Sequence, residues 1–241
     1  MEIKESASLT FETYKRLKDD IIRLNLKPGE LIIVQQLANK MHISRTPVRE
    51  ALTMLTKDAF VEKAEGNKFR VTDITVKSIT ELYTIRRLLE TFAVKETLND
   101  FTQEDFDYLE SNTESYRKAY EVKDYLQFFT LDNEFHHYFF KKLDNKLLYD
   151  FFEQLSDRQQ RIRFATMYIY DRPGLSVQEH INILNALKRK DFAEFEKELC
   201  AHLSKVEDDM MAKVSQQRSA FTANGELSAD MSIHAALIHL L

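Results

Sequence analysis

The sequence predicts a mainly α protein in two parts, an N-terminal winged helix-turn-helix over residues 8–74 and a C-terminal all-α helical bundle over residues 76–214. Three observations lead there. Only four glycines and three prolines punctuate 241 residues, while Leu, Glu and Lys abound, a balance that favours long helices over a turn-rich sheet. The first third of the chain alternates helical and extended patterns in a fixed order. The remainder repeats apolar residues at helical spacing between short breaks.

Between residues 10 and 26, Tyr14, Leu17, Ile21 and Leu24 recur at helical spacing, and Lys27-Pro28-Gly29-Glu30 supplies a stop. Leu31-Ile32-Ile33-Val34 is a short β-branched run, followed by a small helix carrying Leu37, Ala38 and Met41 and by a turn at His42-Ile43. The stretch Ile43-Ser44-Arg45-Thr46-Pro47-Val48-Arg49-Glu50-Ala51-Leu52 opens another helix. Ser44 or Thr46 can cap it, and Pro47 falls in the first turn, where a missing N–H costs nothing. Val48, Ala51, Leu52 and Leu55 form the buried stripe and leave Arg45, Thr46, Arg49 and Thr53 on an adjacent flank. Residues 60–64 and 68–72 alternate around Glu65-Gly66-Asn67 and read as a β-hairpin. The chain changes character at Asp73-Ile74-Thr75, the expected linker.

Beyond it, helices are expected over residues 77–98, 102–120, 122–142, 146–170, 175–189 and 191–214, broken at Asn99-Asp100, Asp144-Asn145 and Arg172-Pro173-Gly174. Short connections pack such helices antiparallel. The tail, residues 215–241, is polar near Gln216 and apolar from Ile233, and its pattern defines no element. The net charge of −5 divides unevenly: residues 1–75 hold 13 Lys and Arg against 11 Asp and Glu, which leaves 21 against 28 for the rest. Any DNA role must therefore rest on local placement of cations. The single Cys200 excludes an internal disulfide, and no run approaches a signal sequence or the roughly 20 apolar residues of a membrane span. The expected setting is the cytoplasm, with no membrane partner.

A DNA-reading helix needs donors that reach base edges, and arginine meets guanine O6 and N7 with two parallel bonds. Arg45 and Arg49, one turn apart, suit that task. Ser44 and Thr46 can bond phosphate oxygens, while Lys68 and Arg70 on the hairpin can reach the neighbouring backbone or minor groove. Isolated arginines at this spacing are common on solvated helices, so the order of elements carries the reading. Through "LKPGELI", "QQLANKMHISRTPVREAL" and the turn at Gly66, the chain from about Thr13 to Val71 resembles the N-terminal domain of the GntR family of bacterial transcription regulators. The resemblance implies that Arg45, Thr46 and Arg49 contact operator DNA and that Gly66 lets the wing approach it. Three positions depart from the family pattern: His42 where glycine is usual in the turn, Gln35 where a cation is common, and Asp58-Ala59-Phe60 in place of Glu-Gly-Leu. A left-handed backbone at His42 costs roughly 1 kcal/mol.

In the second part, Asp132 and His136 stand four apart on an expected helix, about 40° apart around its axis. They make a two-ligand clip, and His180 and His202 on later helices could complete a site of three nitrogens and one oxygen for a divalent metal. Spacing alone leaves open that these are satisfied core residues. His137 projects some 100° away from His136 and reads as a wet or outer residue. Through "LDNEFHHYFF", "SVQEHINILNALKRKDFAEFEKEL" and "AHL", residues 78–210 resemble the FCD ligand-sensing domain of the FadR-like branch of that family. The resemblance implies metal ligation by Asp132, His136, His180 and His202, and nitrogen and carboxylate ligands suit zinc, nickel, manganese or iron. Arg86, in "YTIRRLLE", matches an early bundle arginine of the family and is the first candidate to grip a carboxylate effector, with Arg161 and Arg163 next.

Together these readings describe a homodimeric, ligand-responsive transcription regulator, a repressor, that binds a near-palindromic DNA operator and senses a small carboxylate at a metal site. Two alternatives stay open. One is a metal-dependent enzyme acting on an organic acid with a DNA-binding domain attached, against which stands the lack of a general base, since Glu179 is expected to point away from His180. The other is a regulator whose metal is purely structural.

Overall fold

The structure is a computed structural model in which residues 2–166 and 173–223 are described, with side chains over 8–166 and 174–215. The described residues divide into two compact units, one built on the chain up to Thr75 and the other on Val76–Lys213.

The first unit runs α1 (Glu2–Ile22), β1 (Leu31–Ile33), α2 (Val34–Met41), α3 (Arg45–Lys57), β2 (Val61–Ala64) and β3 (Lys68–Val71). Helix α1 ends before the expected residue 26 because Leu24 adopts φ 63°, and the amides of Leu24 and Leu26 bond back to the Ile21 and Asp20 carbonyls at 3.2 and 3.0 Å. Strand β1 ends at Ile33, since Val34 already belongs to α2. The sheet is antiparallel in the order β1-β3-β2, with Phe69 opposite both Ile32 and Lys63. Alternation along β3 buries Phe69 and Val71 and sends Lys68 and Arg70 to solvent. Leu17 and Ile21 of α1 meet the buried Val48, Ala51, Leu52 and Leu55 of α3, each such aliphatic contributing about 1.5–3 kcal/mol. Two polar ties lock the same pair of helices: Thr10 Oγ1 donates to Glu50 at 2.8 Å and the Tyr14 hydroxyl donates to Asp58 at 2.6 Å.

The second unit comprises α4 (Val76–Thr97), a 3-10 turn (Leu98–Asp100), α5 (Gln103–Glu121), α6 (Tyr125–Leu143), α7 (Lys146–Thr166), α8 (Pro173–Lys188) and, as far as Lys213, α9 (Phe192–Ala223). Helix α6 packs on α4, α5 and α7 and buries Phe128, Phe135, Phe139 and Phe140 among them. Helix α5 starts in a reciprocal capping box between Thr102 and Asp105, and α6 starts at Asp124, whose side chain accepts from Gln127 N at 3.0 Å. The expected break at Arg172-Pro173-Gly174 differs: Pro173 is the first residue of α8, a place where proline forfeits no helical bond, and Arg172 lies outside the described residues. Gly174 then sits in the first turn, where a Cβ would meet the Tyr120 hydroxyl at 2.9 Å, so its lack of a side chain admits α5. Helix α9 continues past the expected residue 214 to Ala223, and the rest of the tail, with the apolar segment from Ile233, lies outside the described residues. Among the described residues no helix is long and apolar enough to cross a membrane.

Candidate DNA-reading helix and candidate metal centre

The turn between α2 and α3 closes through His42, which adopts the left-handed conformation (φ 56°, ψ 38°), and the Ile43 amide returns to the Ala38 carbonyl at 3.1 Å. Ser44 occupies the N-cap of α3 with no side-chain capping bond. Pro47 explains part of this, because the third helical residue then offers no N–H for Ser44 to accept from. The Ser44 hydroxyl is exposed, as are Arg45, Thr46 and Arg49, while Pro47, Val48, Ala51, Leu52 and Leu55 bury the opposite flank. On the hairpin, Lys68 is exposed. Arg70 also faces outward but is already engaged, its Nη1 3.4 Å from the Gly29 carbonyl oxygen and its Nε 4.0 Å from Glu62. Gly66 has φ +69°, and a Cβ added there would meet nothing within 4 Å, so the requirement for glycine is conformational and arises inside the wing itself. Gln35 is exposed on α2 and donates to Asn39 at 2.8 Å.

In the second unit, α6 supplies Asp132 and His136, α8 supplies His180 and α9 supplies His202. One ligand atom from each lies within 4.8 Å of every other, and all four side chains are buried. Around them stand two carboxylates that sequence reasoning does not mark as partners of these histidines. His136 Nδ1 lies 2.6 Å from Glu90 Oε2, and Glu90 is itself held by Arg86 Nε at 2.7 Å. His202 Nδ1 lies 2.8 Å from Glu179 Oε2, whose other oxygen accepts from Lys205 at 3.1 Å. A carboxylate only accepts, so Nδ1 carries a proton in both histidines and Nε2 is the nitrogen left to face the cluster. Glu179, expected only on another face from His180, is buried and reaches His202 of α9.

His180 is clamped between Tyr116 and Phe135, with ring centroids 4.7 and 4.4 Å away, which fixes the plane of the imidazole. Burial pushes its pKa down to about 3, against the upward pull of Asp132. Burial also lowers His202, against the hydrogen bond to Glu179. For Asp132 burial acts upward, but the Arg163 guanidinium and the bond with His180 hold the carboxyl well below the usual range. At neutral pH the set therefore presents neutral imidazoles at His180 and His202 beside an anionic carboxylate. His136 Nε2 and His180 Nδ1 are buried without a hydrogen-bond partner, and His180 Nε2 has only the contact with Asp132 Oδ1 at 3.3 Å. Leaving such groups unsatisfied costs roughly 1–3 kcal/mol each, whereas a divalent cation would take the lone pair of His136 Nε2 and that of one His180 nitrogen, so the donor set fits a metal ion.

Arg163 pairs with the second oxygen of Asp132 and also donates to the Phe129 carbonyl at 3.2 Å. Arg161 is buried too, but two positions earlier on α7 its side chain leaves the helix about 200° away from that of Arg163. Arg86 is fully buried with Nη2 unbonded. Of the two settings open to His137 the wet one fails: it is buried against α7, with Nε2 2.7 Å from Ser156 Oγ and Nδ1 2.8 Å from Glu153. Of the sequence signals, the Arg86–Glu90 spacing of four could have exposed the carboxylate behind His136. Nothing local marks Glu179 as a partner of His202, because the two meet across helices.

Residues 81–205 match the FCD domain family, and residues 9–71 match the family of bacterial regulatory proteins, gntR family. The HTH-type transcriptional regulator McbR of Escherichia coli is 30% identical over 218 residues, covering 88% of this chain and 92% of its own. The HTH-type transcriptional repressor RspR of the same species is 24% identical, covering 86% and 91%. The solved structure of E. coli McbR/YncC is similar at a TM-score of 0.69 with 26% identity, over 84% of this chain and 96% of that one.

Proposed function

The chain belongs to the GntR family with an FCD domain, DNA-binding transcriptional regulators rather than enzymes, and from that premise we propose a homodimeric repressor that releases its operator on sensing a small organic acid at a metal site. It acts in the cytoplasm. The observation that carries the sensing is the buried convergence of Asp132, His136, His180 and His202, with two of the histidines pre-oriented by Glu90 and Glu179. These four residues would hold a divalent ion, which with coordination positions left open would supply a Lewis-acidic anchor for an organic carboxylate. Arg86 offers its unbonded Nη2 to that carboxylate, and Arg163 holds Asp132 in its ionised form.

On the DNA side, Arg45 and Arg49 read base edges from the start of α3, Ser44 and Thr46 bond phosphate, and Lys68 supplies charge from a wing shaped by Gly66. Arg70 contributes less than its charge suggests, because Glu62 and the Gly29 carbonyl compete for it. Two-fold symmetry in the dimer pairs with a near-palindromic operator. The acid acts as a switch only through unequal affinity for the DNA-competent and incompetent geometries.

Elemental analysis of the purified full-length protein, paired with operator gel shifts, tests this. The expected result is close to one equivalent of zinc, nickel, manganese or iron, lost in the His136→Ala/His202→Ala double variant, and an operator complex weakened by carboxylic acids. Full metal retention by the double variant would falsify the ligand assignment. Metal without any response to acids would make it structural.

A further inference from the structure

Beside the four clustered ligands, two buried side chains present unsatisfied atoms of opposite hydrogen-bonding kind. Arg86 commits Nε to Glu90 and lies with its guanidinium carbon 5.6 Å from the Tyr83 ring and 5.8 Å from the Phe152 ring, while Nη2 has no acceptor. Gln159, 1% exposed on α7, donates from Nε2 to the Tyr83 hydroxyl at 3.4 Å, and its Oε1 accepts nothing. Tyr83 connects the two. It sits one turn before Arg86 on α4 and touches both Gln159 and the Arg86 guanidinium, its hydroxyl lies 3.3 Å from Met210 Sδ, and Arg86 in turn reaches His136 through Glu90. Gln159, Arg86 and the clustered ligands therefore share one interior.

The Arg86 donor calls for an acceptor, and the Gln159 carbonyl calls for a donor. A plain carboxylate answers only the first. We propose that the sensed acid is a hydroxy acid, its carboxylate taken by Arg86 and its hydroxyl donated to Gln159 Oε1, with Tyr83 fixing the Gln159 amide. The hydroxy-acid assignment rests on the acid-sensing reading above and names its ligand class. A hydroxyl suits the position better than an ammonium group, because the guanidiniums of Arg86 and Arg163 are already balanced by Glu90 and Asp132 and a divalent ion would leave the interior net positive. Gln159 is then a specificity residue: a site built around a hydrogen bond rejects the analogue that lacks it more strongly than an apolar pocket can.

Calorimetric titration of metal-loaded full-length protein with three matched pairs tests the assignment: lactate and propionate, 3-hydroxybutanoate and butanoate, malate and succinate. In the wild type at least one hydroxylated member binds about tenfold or more tighter than its partner. Gln159→Leu and Gln159→Met, both close in volume and apolar, bring that ratio to near one, with thermal melts verifying that each variant folds. A ratio that survives both substitutions means the hydroxyl is read by the metal or another group, and a wild type with no hydroxyl preference is equally fatal to the assignment while leaving acid sensing intact. If no acid binds metal-loaded wild type, acid sensing itself fails and the hydroxy-acid assignment goes with it.

Discussion

Glu179 is the sharpest place to test whether the cluster is built for metal. Its Oε2 fixes His202 Nδ1 at 2.8 Å, and its Oε1 meets Lys205, more than half exposed, at 3.1 Å. Removing the carboxylate in Glu179→Ala leaves all four ligand side chains in place but frees the ring of His202 and its choice of tautomer. Losses of outer-shell partners of this kind reduce metal affinity by about 10–100-fold, or about 1.4–2.7 kcal/mol. Glu179→Gln keeps an acceptor oxygen without its charge, and hydrogen bonds to charged groups are roughly twice as strong as neutral ones, so its loss should stay below about tenfold. The metal-free fold loses roughly 1–3 kcal/mol in the alanine variant from the buried His202 N–H, and little from Lys205, which solvent compensates. Chelator competition with zinc and nickel, well below the melting temperature, separates the two effects. The expected order of affinity is Glu, Gln, Ala. Wild-type affinity in Glu179→Ala, or a glutamine variant weaker than the alanine one, refutes the reasoning.

Arg49→Ala should weaken operator binding by roughly 1–3 kcal/mol and relax preference at one position per half-site, measured by titrating matched and mutated operators; a uniform loss across sequences would reassign Arg49 to phosphate. Gly66→Ala meets no neighbour but must hold φ +69°, so the wing should lose roughly 1 kcal/mol, read as a lower denaturation midpoint with unchanged slope. The metal-free protein should lose stability as pH falls: burial holds His180 at about 3 and His137 at about 4 when folded, below the ordinary value near 6.5. The unfolded chain therefore binds protons first, so the stabilisation is full above about pH 6.5 and declines below it. Melts of chelator-treated protein between pH 7.5 and 4.5 check this, and a flat or rising curve contradicts it.

The helices were legible because each carries its own period, and the buried stripe of α3 can be read from Val48, Ala51, Leu52 and Leu55 alone. Helix ends were less so. Leu24 takes a left-handed conformation that side chains disfavour, and Pro173 begins a helix where a Pro-Gly pair suggests a loop. The four candidate ligands were legible only in part, since Asp132 and His136 share a helix face while His180 and His202 depend on how helices assemble. Glu179 meeting His202 and Arg163 meeting Asp132 are tertiary facts with no local signature. The burial of His137 was hidden for the same reason: periodicity turned it away from the cluster, but α7 lies on that side and covers it.

The ion pairs around the cluster bear on how metal and acid depend on each other in the proposed sensor. Arg86 balances Glu90 and Arg163 balances Asp132, both pairs fully buried, and Glu179 is offset by Lys205 at the edge. The apo interior is thus near neutrality. A divalent ion bound by three imidazoles and an already paired carboxylate brings positive charge into a place where water cannot screen it. An organic anion relieves that charge, while an anion entering without the metal meets only cations that already have partners. Metal and acid should therefore bind in sequence, with chelation weakening acid binding and the acid tightening metal binding. Linkage requires both effects to have the same free energy. An acid that binds chelator-treated protein as tightly as the metal-loaded form breaks that coupling and leaves Arg86 as the sole determinant.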